Sequence, residues 1–400
     1  MDEITERLRT MYEQYPYPAG EPNTRVCSSA RLVLSYGTLS PPPGGKPLQI
    51  LDAGCGRGVG TLGHARINHD AFITAVDINR TGLAEADRLA KREGVDNVKF
   101  QEVDLTTLSG LDVPPGGYDL IHSSGVIHHM PDPVAGLSAL KSILAPHGAI
   151  VLMVYADRTN IDRIRRAVSL LTPRKKTIIE KLPILRDLLT ALPDEWPNAD
   201  AYPGAELVDC FLNVNERGYD VPDFFQLIDG AGLHFLRWCQ PELWDLPTLF
   251  PNHPHLLSEA SRLSTPDMLR LVYELCHRPR FECILTHKEN RLREKVSPAQ
   301  LLEERLEVSP DAIVQTGIRH LGQDTRTEGV FYRVRNKPVV NLEPDSFTAR
   351  AVTWAMQTNT YFYGHDLRRA TGGTGKLAAS VVEDLVNEEF LYHPHKETTP

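Results

Sequence analysis

The stretch Leu51-Asp-Ala-Gly-Cys-Gly-Arg-Gly58 decides how this chain reads. A short apolar run, Leu48–Ala53, ends at Asp52, and Gly54, Gly56 and Gly58 follow at once. Glycines placed there let the backbone turn tightly and approach a bound ligand closely. Further runs lie downstream at Phe72–Val76, Val98–Val103, Tyr118–Ser123 and Ala149–Tyr155. Helical stretches such as Arg80–Glu93 and Val134–Leu144 sit between them. Short strands alternating with helices predict an α/β fold with a parallel sheet covered on both faces. The second run ends in Asp77, where a carboxylate is placed to accept hydrogen bonds from ribose hydroxyls. The third ends in Asp104-Leu105, where a carboxylate could meet an adenine amino group. Three acidic residues at three strand ends define one nucleoside pocket at the carboxyl edge of the sheet.

Two other glycine patterns compete. Gly58-Val-Gly60-Thr-Leu-Gly63 matches the GxGxxG of nicotinamide-dependent enzymes, but several residues separate it from the strand end at Ala53. The dinucleotide fingerprint wants its first glycine directly at that end. Ala370-Thr-Gly-Gly-Thr-Gly-Lys-Leu377 approaches a phosphate loop and fails at Leu377, where Ser or Thr should hold magnesium. It reads instead as a glycine turn between two helices.

On these residues, over roughly 48–156, the chain resembles the class I S-adenosylmethionine (SAM)-dependent methyltransferases. The block Tyr118-Asp-Leu-Ile-His-Ser-Ser-Gly-Val-Ile-His-His-Met-Pro-Asp-Pro133 strengthens the resemblance. Its His128-His129-Met-Pro-Asp-Pro form is similar to the ubiquinone/menaquinone-biosynthesis type. Leu144-Ala-Pro-His-Gly148 matches the family's turn before the fifth strand, with His147 where Gly is usual. The resemblance implies a Rossmann-like, seven-stranded sheet whose last two strands form a reversed hairpin, here Leu233–Cys239 and Arg280–Thr286. It implies SAM as cofactor and S-adenosyl-L-homocysteine as product. The expected cofactor contacts are Asp52, Gly54, Cys55, Gly56, Gly58, Asp77, Ile78, Asp104, Leu105, Ser123 and Tyr17.

Methyl transfer from a sulfonium is an in-line displacement, and positioning the two reactants can supply roughly 7–11 kcal/mol. A general base is needed only if the nucleophile arrives protonated. His128 and His129, after the fourth strand, are the candidates, because imidazole titrates near neutrality; the competing expectation is that they bond the loop backbone or touch only the cofactor. Metal binding is not expected, since adjacent His residues do not readily chelate one ion and no third ligand is evident. Tyr12, Tyr15 and Tyr17 resemble a segment that folds over the cofactor as a lid in many family members. Asn213, Asn215, Glu216, Arg217 and Tyr219 form a polar cluster before a helix; Asn213, Arg217 and Tyr219 are expected, with Tyr12 and Tyr15, to contact the substrate. A basic run from Arg163 to Lys176 reads as a solvated helix face or a guide for an acidic substrate.

Composition bounds the rest. The 400 residues carry 43 basic and 52 acidic side chains, net charge −9, which weighs against a dedicated nucleic-acid or anionic-membrane partner. The longest apolar run, around Ala149–Ala156, is less than half the about 20 residues a spanning helix needs. No signal-peptide core is apparent at the N-terminus. Six scattered Cys without a CxxC read as reduced thiols of a cytoplasmic protein. The expected organisation is a helical lid (1–47), a methyltransferase domain (48–290) with an inserted helical cap (157–230), and a C-terminal accessory module (291–400). That module, with a charged helix Ala299–Glu307 and helices Ser346–Met356, Gly364–Ala370 and Leu377–Glu388, suggests a winged-helix-like unit. Residues 301–400 carry 11 basic and 14 acidic side chains, which argues against DNA binding and favours dimerisation or substrate recruitment. The expected reaction is methylation of a small organic molecule at oxygen, nitrogen or carbon. The alternatives are a protein or peptide side chain as acceptor, and a SAM-binding regulatory protein without turnover.

Overall fold

The structure, a computed structural model, describes residues 2–19, 29–41, 46–193, 195–196, 199–321, 324–334, 337–358 and 361–394. Cys27, Pro197, His395 and part of the proline-glycine turn at 40–47 lie outside these residues. The chain divides into two compact units: residues 1–22, 49–61 and 72–289 form one, and 23–48, 62–71 and 290–400 the other.

The first unit is built on seven strands: β1 (Gln49–Ala53), β2 (Phe72–Asp77), β3 (Val98–Glu102), β4 (Tyr118–Ser124), β5 (Leu144–Tyr155), β6 (His234–Trp238) and β7 (Arg280–Thr286). Their order in the sheet is β3-β2-β1-β4-β5-β7-β6. The first five are parallel, with Leu51 opposite Thr74 on one side and Ile121 on the other. Strand β7 runs antiparallel to both β5 and β6, so the last two strands form the expected reversed hairpin. Central strands are apolar on both faces because helices cover both, and Ile50, Leu51, Leu120, Ile121, Ile150 and Leu152 are fully buried. The hairpin end is filled by aromatic rings: Trp238 stacks on Trp244 at 4.1 Å and Phe224 on Phe281 at 4.6 Å.

Two pieces complete this unit around the carboxyl edge. Helix Glu3–Gln14 starts at Asp2, whose carboxylate accepts the N–H groups of Ile4 and Thr5. It buries Leu8 and Met11 against Val208. After β5 the chain leaves the sheet for helices Thr159–Leu171, Ile178–Thr190 and Gly204–Phe211, which share a small core of Ile161, Ile164, Val168, Leu185, Leu189, Leu207 and Phe211. Helix Val221–Gly230 then returns to the main core.

The second unit departs from the sequence reading in three places. Residues 299–307 do not form a charged helix. A four-residue turn of helix, Pro298–Leu301, gives way to strand β8 (Arg305–Val308). Arg305-Leu306-Glu307-Val308 alternates polar and apolar, and Leu306 is fully buried, so the period of two overrides the charge pattern. Strands β9 (Ala312–Leu321), β10 (Asp324–Val334) and β11 (Val340–Leu342), an antiparallel sheet, went unread. The second half of the expected lid, residues 23–48, joins this unit rather than the first. There the Thr38 N–H donates to the Arg291 carbonyl and the Arg293 N–H to the Tyr36 carbonyl.

The three expected helices stand at Phe347–Gln357, Gly364–Thr371 and Gly375–Asn387, the last carrying the lysine of the glycine turn. Strands β12 (Phe362–Tyr363) and β13 (Leu391–Tyr392) flank β8. Helix, strand, helix, helix, strand follow one another in the chain, and the middle strand of the sheet, β8, comes from upstream of them. Leu306, Val352, Phe362, Leu367, Val382 and Phe390 form its core.

Candidate active site

The glycine loop after β1 is held against β2 by two N–H groups, those of Gly54 and Cys55, both donating to the Val76 carbonyl. Gly56 sits at φ +53° and Gly54 at φ +89°, conformations that side chains rarely adopt. A Cβ on Gly56 would lie 2.4 Å from the Tyr17 carbonyl oxygen, and one on Gly54 2.2 Å from a Val126 methyl. Both glycines therefore let the loop pack against Tyr17 and Val126 where any side chain would clash. The loop carries Cys55, whose buried thiol is pushed well above its ordinary pKa.

Asp77 stands at the tip of β2. Its carboxylate accepts the Gly56 and Asn79 N–H groups, each at 2.8 Å. Burial raises its pKa, and those N–H groups oppose the rise. Asp52, buried, accepts the Thr61 hydroxyl at 2.6 Å. Asp104, half-buried beyond β3, accepts the Thr106 N–H at 2.9 Å, next to buried Leu105. The Ser123 hydroxyl at the end of β4 is fully buried with no hydrogen-bond partner. Tyr17 crosses the loop, and its carbonyl accepts the Arg57 N–H at 3.2 Å. Carboxylates at three strand tips, a glycine cradle and an orphaned hydroxyl are the groups a nucleoside with a short polar tail requires, so the residues present fit SAM.

Beside this edge a second, polar cluster is buried. His128 and His129 form a 3-10 turn after β4 and are 0% and 4% exposed. The His128 ring lies 4.1 Å from that of His129 and 4.2 Å from Tyr155, and neither of its nitrogens has a partner. Burial, then His129, drives its pKa well below the ordinary imidazole value, so it is neutral at neutral pH. The Nδ1 of His129 lies 3.0 Å from the Asn215 carbonyl. A carbonyl only accepts, so Nδ1 carries a proton; Nε2 has no hydrogen-bond partner and lies 4.0 Å from Asp209 Oδ1. Asp209, buried and with its pKa raised by that burial, accepts the Tyr12 hydroxyl at 2.8 Å. Asn213 donates to the Tyr12 oxygen at 3.1 Å. Glu216 Oε1 takes both Arg158 at 2.5 Å and Arg165 at 2.8 Å, while Oε2 makes no hydrogen bond and lies 4.0 Å from His129 Nδ1. Arg158 also lies over the Tyr155 ring at 3.8 Å.

The cap is tied to the histidine turn through backbone. Asn215 donates to the carbonyls of His129 and Met130, and the Arg217 N–H to that of His128. Of the expected substrate contacts, Tyr12 and Asn213 are in the cluster. Tyr15 packs against the Leu8–Met11–Val208 group instead. Two others lie apart from it. The Arg217 side chain is 60% exposed and pairs with Asp223. Tyr219 is 2% exposed in the main core, where its backbone bridges to the end of β5. Asp209, Tyr155, Arg158 and Arg165 were not singled out as site residues. Glu216 supplies the third donor that spacing did not reveal: one atom each of His128, His129 and Glu216 lies within 4.8 Å of the others.

Residues 45–184 match the model of a methyltransferase domain. An uncharacterized protein of Synechococcus sp. is 32% identical over 293 residues, 68% of this chain and 69% of its own. The chain belongs to the class I SAM-dependent methyltransferases. It is an enzyme, and SAM is its cofactor. A ubiquinone biosynthesis O-methyltransferase of Psychrobacter arcticus is 30% identical over 105 residues, which cover 26% of this chain and 39% of that enzyme. PKMT2 from Rickettsia typhi has the same fold, with a TM-score of 0.64 at 16% identity over 95% of this chain and 78% of its own. A second structure of PKMT2, in complex with AdoHcy, matches equally well. Among the described residues no helix is long and apolar enough to cross a membrane.

Proposed function

We propose that this methyltransferase transfers the methyl group to an oxygen, nitrogen or carbon nucleophile of a small organic molecule. The observation that carries the reading is the enclosed cluster beside the nucleoside pocket. His129 Nε2 is buried without a hydrogen-bond partner, and so are Glu216 Oε2 and both His128 nitrogens. Buried polar atoms without partners are costly, and a polar acceptor group entering the cluster would pair them.

Bound SAM would supply an electrophilic methyl on a sulfonium and leave as S-adenosyl-L-homocysteine. Asp77 and Asp104 hold its nucleoside, with Asp52, Gly54, Cys55, Gly56, Gly58, Ile78, Leu105, Ser123 and Tyr17 forming the cradle. His129 takes the nucleophile's proton at Nε2, and Asp209, held by Tyr12, stabilises the resulting charge. His128 and Tyr155 close the cluster against water, which strengthens each interaction inside it. The reading places the enzyme in the cytoplasm, in keeping with scattered cysteines that form no CxxC in the sequence.

A protein or peptide side chain is the second reading. The fold shared with PKMT2 over 95% of the chain, rather than over the sheet alone, favours it. The test is incubation with methyl-labelled SAM and a lysate of the source cells, then separation by size. Label in the small-molecule fraction is expected; label confined to polypeptide refutes the first reading in favour of the second.

A further inference from the structure

We propose that the turn between helices Thr159–Leu171 and Ile178–Thr190 docks the enzyme onto an anionic lipid bilayer. The inner face of this hairpin is spent on its own core through Ile161, Ile164, Val168, Leu185 and Leu189. Its tip is not. Leu170 is 82% exposed, Leu171 58% and Ile179 60%. Around them the segment 163–181 carries seven basic residues (163, 165, 166, 174, 175, 176 and 181) against one acidic, Glu180. Two of the seven are committed elsewhere: Arg165 to Glu216 and Arg163 to Glu195. Glu180 is itself occupied in capping the second helix, accepting the N–H groups of Lys176 and Thr177. Arg166, Arg174 and Lys176 are exposed, and among the described residues none of them makes an ion pair.

Exposed aliphatic side chains on the same turn as unpaired cations are what an interfacial anchor needs: apolar groups reach the acyl boundary while the cations meet the headgroups. The whole-chain charge of −9 hides this, because it averages a cationic tip with an acidic remainder. Three aliphatic side chains fall well short of the roughly 800 Å² per partner of a stable protein interface, so a bilayer is favoured over an acidic protein. The attachment lies on the cap that also carries Asp209 and Glu216, and would bring the site to substrates that partition into membranes.

The experiment is co-sedimentation of the full chain with phosphatidylcholine vesicles, with and without phosphatidylglycerol. Binding is expected only to the anionic vesicles, weakening as salt rises. Each basic residue near an anionic leaflet is worth about fivefold in partitioning, so R174E/K176E is expected to lose at least about 25-fold. L170S/L171S is expected to lose binding as well, and both variants keep wild-type SAM affinity in solution, which shows them folded. Failure to bind anionic vesicles at low salt overturns the proposal. So does wild-type binding by either variant. Displacement from vesicles by soluble polyglutamate, with L170S/L171S unaffected, overturns it in favour of an acidic protein partner.

Discussion

Gly56→Ala tests the glycine cradle most sharply, because the geometry lets its cost be worked out. Gly56 sits at φ +53°, and an L-residue there costs about 1–2 kcal/mol. The new Cβ would also stand 2.4 Å from the Tyr17 carbonyl oxygen, a distance real Cβ atoms essentially never show. The obstacle is backbone, so Tyr17 must retreat, and its 3.2 Å bond to the Arg57 N–H is lost for about 1 kcal/mol. The sum is roughly 2–3 kcal/mol. To the extent that the free loop relaxes from this strain, binding SAM must restore it, so the cost appears as up to a roughly 140-fold weaker affinity for SAM and the remainder as lost stability. Titration calorimetry with S-adenosyl-L-homocysteine measures it. Gly60→Ala is the control: Gly60 is helical, and nothing lies within 4 Å of its Cβ position. Alanine there is expected to leave binding unchanged and to raise the melting temperature slightly, since it favours helix by up to about 1 kcal/mol. Equal affinities for the two variants would refute the reasoning.

Further expectations follow from the same geometry. Asp77→Ala should cost about 1–3 kcal/mol in SAM affinity, because ribose hydroxyls and the Gly56 N–H lose their acceptor; unchanged affinity would mean that the tip of β2 does not hold the ribose. His129→Ala should lower kcat by about 10²–10⁴-fold with SAM affinity intact, if the nucleophile arrives protonated; a wild-type rate removes Nε2 from the proton path. His128 gives a pH signature. Its folded pKa is depressed by burial, while the unfolded chain regains about 6.5. The stability this contributes is complete above that pH and is lost as pH falls, at up to about 1.4 kcal/mol per pH unit. His128→Gln should flatten the fall in urea-unfolding free energy below pH 6.5, and identical slopes in the two proteins would contradict the burial argument.

The glycine loop and the acidic strand tips were legible because they are local: one strand, one turn and one carboxylate speak for themselves at each site. The seven-stranded sheet and its closing reversed hairpin followed from the resemblance built on them. The polar cluster was legible only in part. Tyr12, His129, Tyr155, Arg158, Asp209 and Glu216 come from four separate segments, and only the fold brings them together. Arg165 looked like one member of a solvated basic run, yet its guanidinium is drawn inward by Glu216. Arg217 and Tyr219 sit in the same segment as Asn213 and Asn215, yet one turns to solvent and the other to the core. In the second unit, Glu303, Glu304 and Glu307 suggested a charged helix, whereas the alternation from Arg305 to Val308 chose a strand.

The most direct test of the account is to count S-adenosyl-L-homocysteine released against methyl label incorporated, using wild-type enzyme and the small-molecule fraction of a source-cell extract. The account predicts one labelled small molecule for each S-adenosyl-L-homocysteine formed, with turnover collapsing in His129→Ala while SAM binding persists. SAM binding without S-adenosyl-L-homocysteine release, or release unaffected by His129→Ala, would contradict it.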